Sequence, residues 1–285
     1  MTINCDYIIG TAQLGQTYGI NQSAEINSYK KGVRFIDDAV KLNLKCFDTA
    51  PTYGIAEKII GKSKNKNNIQ IYTKVPKILN NEIKEVEKYF EKSLNHLSLS
   101  KIEGLLLHNY KNIKIKNLDK FIEKLYMAEK IKKFGISIYE EKDILSTSNI
   151  NLIQIPGNVF NQKVLGSKKI KDFVKNNGIV QVRSIFIQGL IFKNNTFPKK
   201  LYELKNPIVK LRNIAKENGI QLELLAISVI KELLPEAIPI LGFDNINQLK
   251  KLKNVFNNKI DSNIIYKTID LGKKYESHLW DPRYW

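Results

Sequence analysis

The sequence predicts an α/β fold: a single-domain (β/α)8 TIM barrel over residues 1–285, with a C-terminal tail over the barrel mouth. Two observations carry this expectation. Eight short apolar, β-branched segments alternate with amphipathic ones, and no linker or shift in composition divides the chain. Strands separated by helices pair in parallel through crossovers, and eight such units close on themselves. An open doubly wound sheet is the competitor, but it should carry GxGxxG after its first strand, where this chain has GTAQLG at 10–15.

The elements follow in order. Strands are expected at 6–10 (DYIIG), 45–48 (KCFD), 69–74 (IQIYTK) and 103–108 (EGLLLH). The remaining four are expected at 132–137 (KKFGIS), 152–155 (LIQI), 179–183 (IVQVR) and 237–241 (AIPIL). Each is a short run too brief for a stable helix and rich in residues that suit a pleated sheet. Helical patterns lie between them, at 29–42, 59–63, 83–97, 118–130, 142–145, 167–176, 207–218 and 221–234, with one more at 245–255 after the last strand.

Composition limits the function classes. A hydrophobic fraction of 43% supports a large core, and the most apolar stretch, 222–234, carries charges and is too short to span a bilayer. The N-terminus MTINCDYIIG lacks the basic-then-apolar pattern of a secretory signal. Cys5 and Cys46 show no CxxC spacing and read as free thiols, so a cytoplasmic location is expected. His96, His108 and His278 form no ligand spacing, so no metal is expected. The formal charge of +18 raises the question of nucleic acid, but the basic residues are nearly all Lys, with Arg only at 34, 183, 212 and 283. Scattered lysines without an Arg cluster read as solvated helix faces that attract anionic ligands. Neither nucleic acid nor membrane is expected as a partner.

The segment FDTAPTYG (47–54) is where chemistry enters. In a (β/α)8 barrel, reacting groups gather at the C-terminal strand ends. Asp48 closes the second predicted strand, Lys74 the third and His108 the fourth, while Tyr53 follows in the loop after Asp48. Taken singly, each has an ordinary reading: Asp48 as a helix cap, Lys74 as a surface lysine, His108 as a structural histidine. Jointly, four complementary groups on three successive strand ends describe a carbonyl-reducing site. Tyr53 is protonated at neutral pH and can give up its proton. Lys74 is expected to lower the Tyr53 pKa, Asp48 to hold Lys74, and His108 to position the substrate oxygen. Nothing in this set supplies hydride, so a reduced nicotinamide is required.

On these residues the chain resembles the aldo-keto reductases over nearly its whole length. DTAPTYG (48–54) fits that family's DTAxxYG signature, and GTAQLG its opening turn, with Gly10, Gly15 and Gly54 as scaffold. The resemblance makes Asp48, Tyr53, Lys74 and His108 a catalytic tetrad and implies NADPH or NADH as cofactor. FGIS (134–137) and LIQIPGNVFNQ (152–162) match segments at the nicotinamide carboxamide, implicating Ser137 and Gln154. RSIFIQGL (183–190) and IPILGFDNINQL (238–249) match the loops after the seventh and eighth strands. They implicate Arg183, Ser184, Gly189, Gly242, Asp244 and Gln248 in cofactor binding.

Three departures stand out. Ile138 replaces a common Asn, and Arg183 replaces a stacking Tyr. Asp244 falls where the family usually places a basic residue for the 2′-phosphate, which implies that NADH serves at least as well as NADPH. Tyr18, in GQTYGI, and Trp280, in the tail HLWDPRYW (278–285), are candidate substrate-pocket walls, Trp280 equally a hydrophobic clasp. The expected substrate is a small carbonyl compound, anionic by the charge of Arg183 and the basic surface. Bacterial relatives with similar RS-F-QGL and DPR-W segments are linked to surface-sugar biosynthesis, which implies a phosphorylated or nucleotide-linked keto sugar. A monomer or homodimer is expected. The alternative function is a non-catalytic nicotinamide-binding, redox-sensing subunit, which has no need of all four tetrad groups.

Overall fold

The computed structural model describes residues 5–14, 16, 18–20, 26, 28–144, 150–193, 197–275 and 277–285. Eight parallel strands close into a barrel in sequence order, β1 (Ile8–Gly10), β2 (Cys46–Asp48), β3 (Gln70–Val75), β4 (Ile102–Leu107), β5 (Ile131–Ser137), β6 (Leu152–Pro156), β7 (Ile179–Arg183) and β8 (Ile238–Leu241), with β8 returning to β1. The expected barrel is the one observed, with most strand limits moved by a residue or two.

Around it run α1 (Tyr29–Lys41), α2 (Ala56–Gly61), α3 (Ile83–Leu97), α4 (Leu118–Met127), α5 (Lys168–Lys175), α6 (Lys205–Glu217), α7 (Leu222–Leu233) and α8 (Ile246–Val255). A further helix, α9 (Ser262–Lys274), leads into the tail. None of the described helices is long and apolar enough to cross a membrane. The helix expected at 142–145 is instead a single 3-10 turn, Glu141–Asp143. Asp143 folds back onto the N–H groups of Tyr139 and Glu140, which favours a local turn over a helix. Leu145, the end of that expected helix, lies outside the described residues. So does Gly15.

The side-chain alternation of parallel strands divides the core in two. Phe47, Ile71, Leu105, Ile153 and Val182 point outward and pack with the helices. Ile8, Cys46, Tyr72, Leu106, Leu152 and Ile240 form a separate cluster inside the barrel. Tyr72 fits there because its neighbour on β4 is glycine: a Cβ at Gly104 would lie 2.6 Å from the Tyr72 ring. The same inward parity carries upward through Asp48, Lys74 and Gln154, so the apolar plug is topped by polar groups.

Candidate active site

Strand register sets the site. Asp48 of β2 is level with Tyr72 of β3, and Lys74 stands two residues higher, beside Leu106 of β4. Both ionic side chains are almost fully buried, Lys74 at 1% and Asp48 at 3% exposure. The Lys74 ammonium donates to Asp48 Oδ1 at 2.6 Å and Oδ2 at 2.7 Å, and to the Thr49 carbonyl at 3.0 Å. Tyr53 is a fourth neighbour that shares the ammonium's three donors, with Nζ 3.4 Å from the phenolic oxygen. Burial of one charge without the other would be costly, so the pair holds together.

Tyr53 reaches this point through a turn rather than a strand. The Tyr53 N–H donates to the Ala50 carbonyl and its own carbonyl accepts from Ala56, the first residue of α2. Gly54 closes the turn at φ 58°, a region glycine enters without a Cβ penalty. Helix α2 therefore starts three residues before the 59–63 expected from the sequence, directly behind Tyr53. His108 follows β4 instead of ending it, and its ring stands perpendicular to that of Tyr53 with centroids 6.4 Å apart.

The electrostatics correct one expectation. The Tyr53 pKa is pushed up from its ordinary 10, because burial disfavours the phenolate and the Asp48 charge repels it; Arg183 works in the opposite direction. Burial also lowers the Lys74 pKa, with Asp48 opposing. The ammonium is thus largely compensated by its carboxylate, and the net effect on Tyr53 is to keep its proton. Burial, followed by the charges of Lys74 and Arg183, brings His108 down from 6.5 to about 4. At neutral pH, an uncharged imidazole and a protonated phenol face the same space.

That space is a cavity of about 420 Å³, lined by Asp48, Tyr53, His108, Tyr18, Gln154 and Arg183, and by Ser184, Gly189, Gly242, Asp244 and Gln248 from the β7 and β8 loops. Most of the expected site residues therefore share one wall system. Gln154 is also tied to the tetrad: its Nε2 donates to Asp48 Oδ1 at 2.8 Å and to Gln181 Oε1 at 3.1 Å. Ser137 is level with Gln154 in the sheet, but it is buried and does not line the cavity. The expectation for Trp280 is corrected. Its indole is 1% exposed and stacks on Phe160 at 4.1 Å, with its N–H donated to the Tyr275 carbonyl, so it clasps the tail to the barrel and forms no pocket wall.

Sequence reasoning missed Gln13, Tyr139, Gln188, Phe192 and the tail residues Asp281, Pro282 and Arg283, all of which line the cavity. For Tyr139 a signal was present, since it lies two residues past Ser137 at a strand end. The irregular tail offers no such periodicity.

The residues at the β7–β8 side fit a dinucleotide. Ser184, Ile187, Gln188 and Gly189 all have left-handed backbones, with φ of 66°, 50°, 51° and 86°. For a β-branched residue such as Ile187 this is strained, and such strain collects where backbone groups are aimed at a ligand. At the other wall, a Cβ on Gly242 would come within 2.7 Å of Gln13 Oε1. Asp244 accepts from Gln13 at 2.7 Å and from Gln248 at 3.3 Å, just ahead of the α8 N-terminus.

The model of the aldo/keto reductase family matches residues 7–270. No curated protein matches the sequence closely enough to count as a relative. Among solved structures, a glycerol dehydrogenase from Gluconobacter oxydans is similar at 20% identity and TM-score 0.76, covering 95% of this chain and 93% of its own. The holo form of an aldo-keto reductase from Bacillus halodurans is similar at 19% identity and TM-score 0.75, covering 96% and 94%. An aldo-keto reductase from Klebsiella pneumoniae, solved in complex with NADPH, shares 16% identity at TM-score 0.73 over 93% and 90%. At these identities the solved structures speak for the fold, whereas the sequence match runs from before β1 to within α9. Together with the Asp48–Lys74–Tyr53 contacts, it shows that the chain belongs to the aldo/keto reductase family, a family of nicotinamide-dependent oxidoreductases.

Proposed function

We propose that the protein reduces an aldehyde or ketone to an alcohol with NADH or NADPH, using Tyr53 as proton donor, and that its substrate is an anionic, sugar-type carbonyl compound. The observation that carries this reading is the contact of Tyr53 with an ammonium that is itself locked by Asp48, beside His108 on the same cavity. The nicotinamide supplies the hydride when bound. Tyr53 and neutral His108 both offer a hydrogen-bond donor to a carbonyl oxygen, and the phenol proton moves to that oxygen as charge develops on it. Lys74, whose ammonium lies beside the phenolic oxygen, stabilises the phenolate left behind. Arg183 adds a positive charge to the same space, which favours an anionic substrate. Free thiols at Cys5 and Cys46 suit a reducing cytoplasm.

Tyr53→Phe tests the assignment. Turnover is expected to fall about 10²-fold or more, while quenching of tryptophan fluorescence by the nucleotide persists. Wild-type turnover in the variant would end the assignment. Cofactor choice follows from Asp244. A carboxylate fixed by Gln13 and Gln248 accepts a hydrogen bond from a free 2′-hydroxyl and repels a 2′-phosphate. NADH is therefore expected to bind at least as tightly as NADPH in fluorescence titrations. A marked preference for NADPH would reject this role for Asp244.

A further inference from the structure

A second cavity, of about 640 Å³, adjoins the Tyr53 cavity, and the two share Tyr139, Asp281 and Arg283 as a common wall. That wall gathers positive charge on one aromatic ring. The guanidinium carbon of Arg183 lies 4.3 Å from the Tyr139 ring centroid, and that of Arg283 lies 3.5 Å from it. Guanidinium groups rest favourably on aromatic faces, and the N–H groups that are not engaged elsewhere stay available to oxygen acceptors.

The two arginines are held from different parts of the chain. Arg183 ends β7 and donates to the Ile138 carbonyl at 3.3 Å. Arg283 belongs to the tail, where its Nε and Nη2 both donate to Asp281 Oδ2, at 2.8 and 2.5 Å, and its backbone N–H to Asp281 Oδ1 at 3.0 Å, so that Nη1 is the guanidinium nitrogen not engaged by Asp281. The ion pairs at this mouth are Lys74–Asp48 and Arg283–Asp281, and neither includes Arg183. On the far side, Lys142 pairs with Glu140, and Lys163 and Glu141 line the same cavity with opposite charges. The remaining carboxylate of the Tyr53 cavity, Asp244, is engaged by Gln13 and Gln248. Two guanidiniums against one carboxylate leave this wall one positive charge in excess.

We infer that Arg183 and Arg283 form a clamp for an anionic group of the substrate, a carboxylate or phosphate that sits between the carbonyl presented to Tyr53 and a distal part directed into the second cavity. The inference rests on the carbonyl-reductase reading and deepens it, because it assigns selection of the substrate to a residue of the tail. Two guanidiniums on one ring can each give an N–H to a different oxygen of such a group, which a scattered surface lysine does not.

Equilibrium binding to the full chain, by titration calorimetry with and without saturating NADH, tests the clamp independently of turnover. The probes are matched unreactive pairs: butyrate against butyramide, and glycerol 3-phosphate against glycerol. In at least one pair the anion is expected to bind about 10- to 100-fold more tightly, the range of one or two charge-assisted hydrogen bonds. The responding pair tells carboxylate from phosphate. Arg283→Gln should remove most of the preference, and Arg283→Lys should restore part of it. Equal affinity within both pairs, or a preference that survives in Arg283→Gln, overturns the clamp. If the Gln variant does not fold, the Lys variant decides: a preference cut several-fold upholds the clamp, and an undiminished one overturns it. Failure of the reductase reading itself would appear separately, as the absence of carbonyl-dependent oxidation of NADH or NADPH by the wild-type protein.

Discussion

His108 stands beside a buried ammonium and a guanidinium, in a pocket where a third cation is strongly disfavoured. Burial, and after it these two positive charges, brings its pKa from 6.5 to about 4. An unfolded chain still takes up the proton near pH 6.5, so between these values the unfolded state binds more protons than the folded one. Stability therefore declines as pH falls from about 6.5 towards 4, and this contribution is constant above that window. Urea midpoints measured from pH 7 downward should fall more steeply for the wild type than for His108→Gln; parallel curves would show that residue 108 is not held neutral. The same uncharged state keeps the imidazole a donor to substrate oxygen throughout the physiological range. Asp48, Lys74 and His108 were legible in the sequence because period-two alternation and strand ends set their direction, and Tyr53 because it belongs to the DTAPTYG segment that starts at Asp48. The sign of the Tyr53 shift was not, because it depends on how completely Asp48 compensates Lys74, and that is a matter of burial.

At the level of elements, the strands were legible and the irregular connections were not. Short β-branched runs announce a parallel barrel, whereas the turn at Glu141–Asp143 depends on one side chain bending back to its own backbone. Helix α9 escaped notice, although its buried Ile265, Thr268, Ile269 and Gly272 follow helical spacing. It matters because it delivers the tail. Gly272 lies so close to the loop after β6 that a Cβ would meet the Val159 carbonyl at 1.9 Å, and Gln162 donates to the Ile269 carbonyl from that loop. Trp280 then stacks on Phe160 of the same loop. Trp280→Ala is expected to cost about 3–5 kcal/mol, the range for emptying a buried aromatic site. Chemical denaturation would measure it, and a loss below about 1 kcal/mol would return Trp280 to the status of a surface or pocket residue. Arg283 was hidden for a related reason: its partner Tyr139 lies in a distant part of the chain, and only the docked tail brings the two together.

At the scale of the molecule, the proposed catalytic groups have no scaffold of their own. Asp48 and Lys74 belong to adjacent staves, His108 extends the next, and Gln154 joins Asp48 from across the barrel. Shifting any stave by one residue would turn these groups outward. The tail is different, since it is applied to the mouth from outside the ring. On gradual heating, the tetrad should thus persist until the ring itself opens. Residual turnover and far-ultraviolet circular dichroism are expected to vanish at one common midpoint, while any earlier loosening is confined to recognition and appears as a weaker grip on the substrate with the chemical step intact.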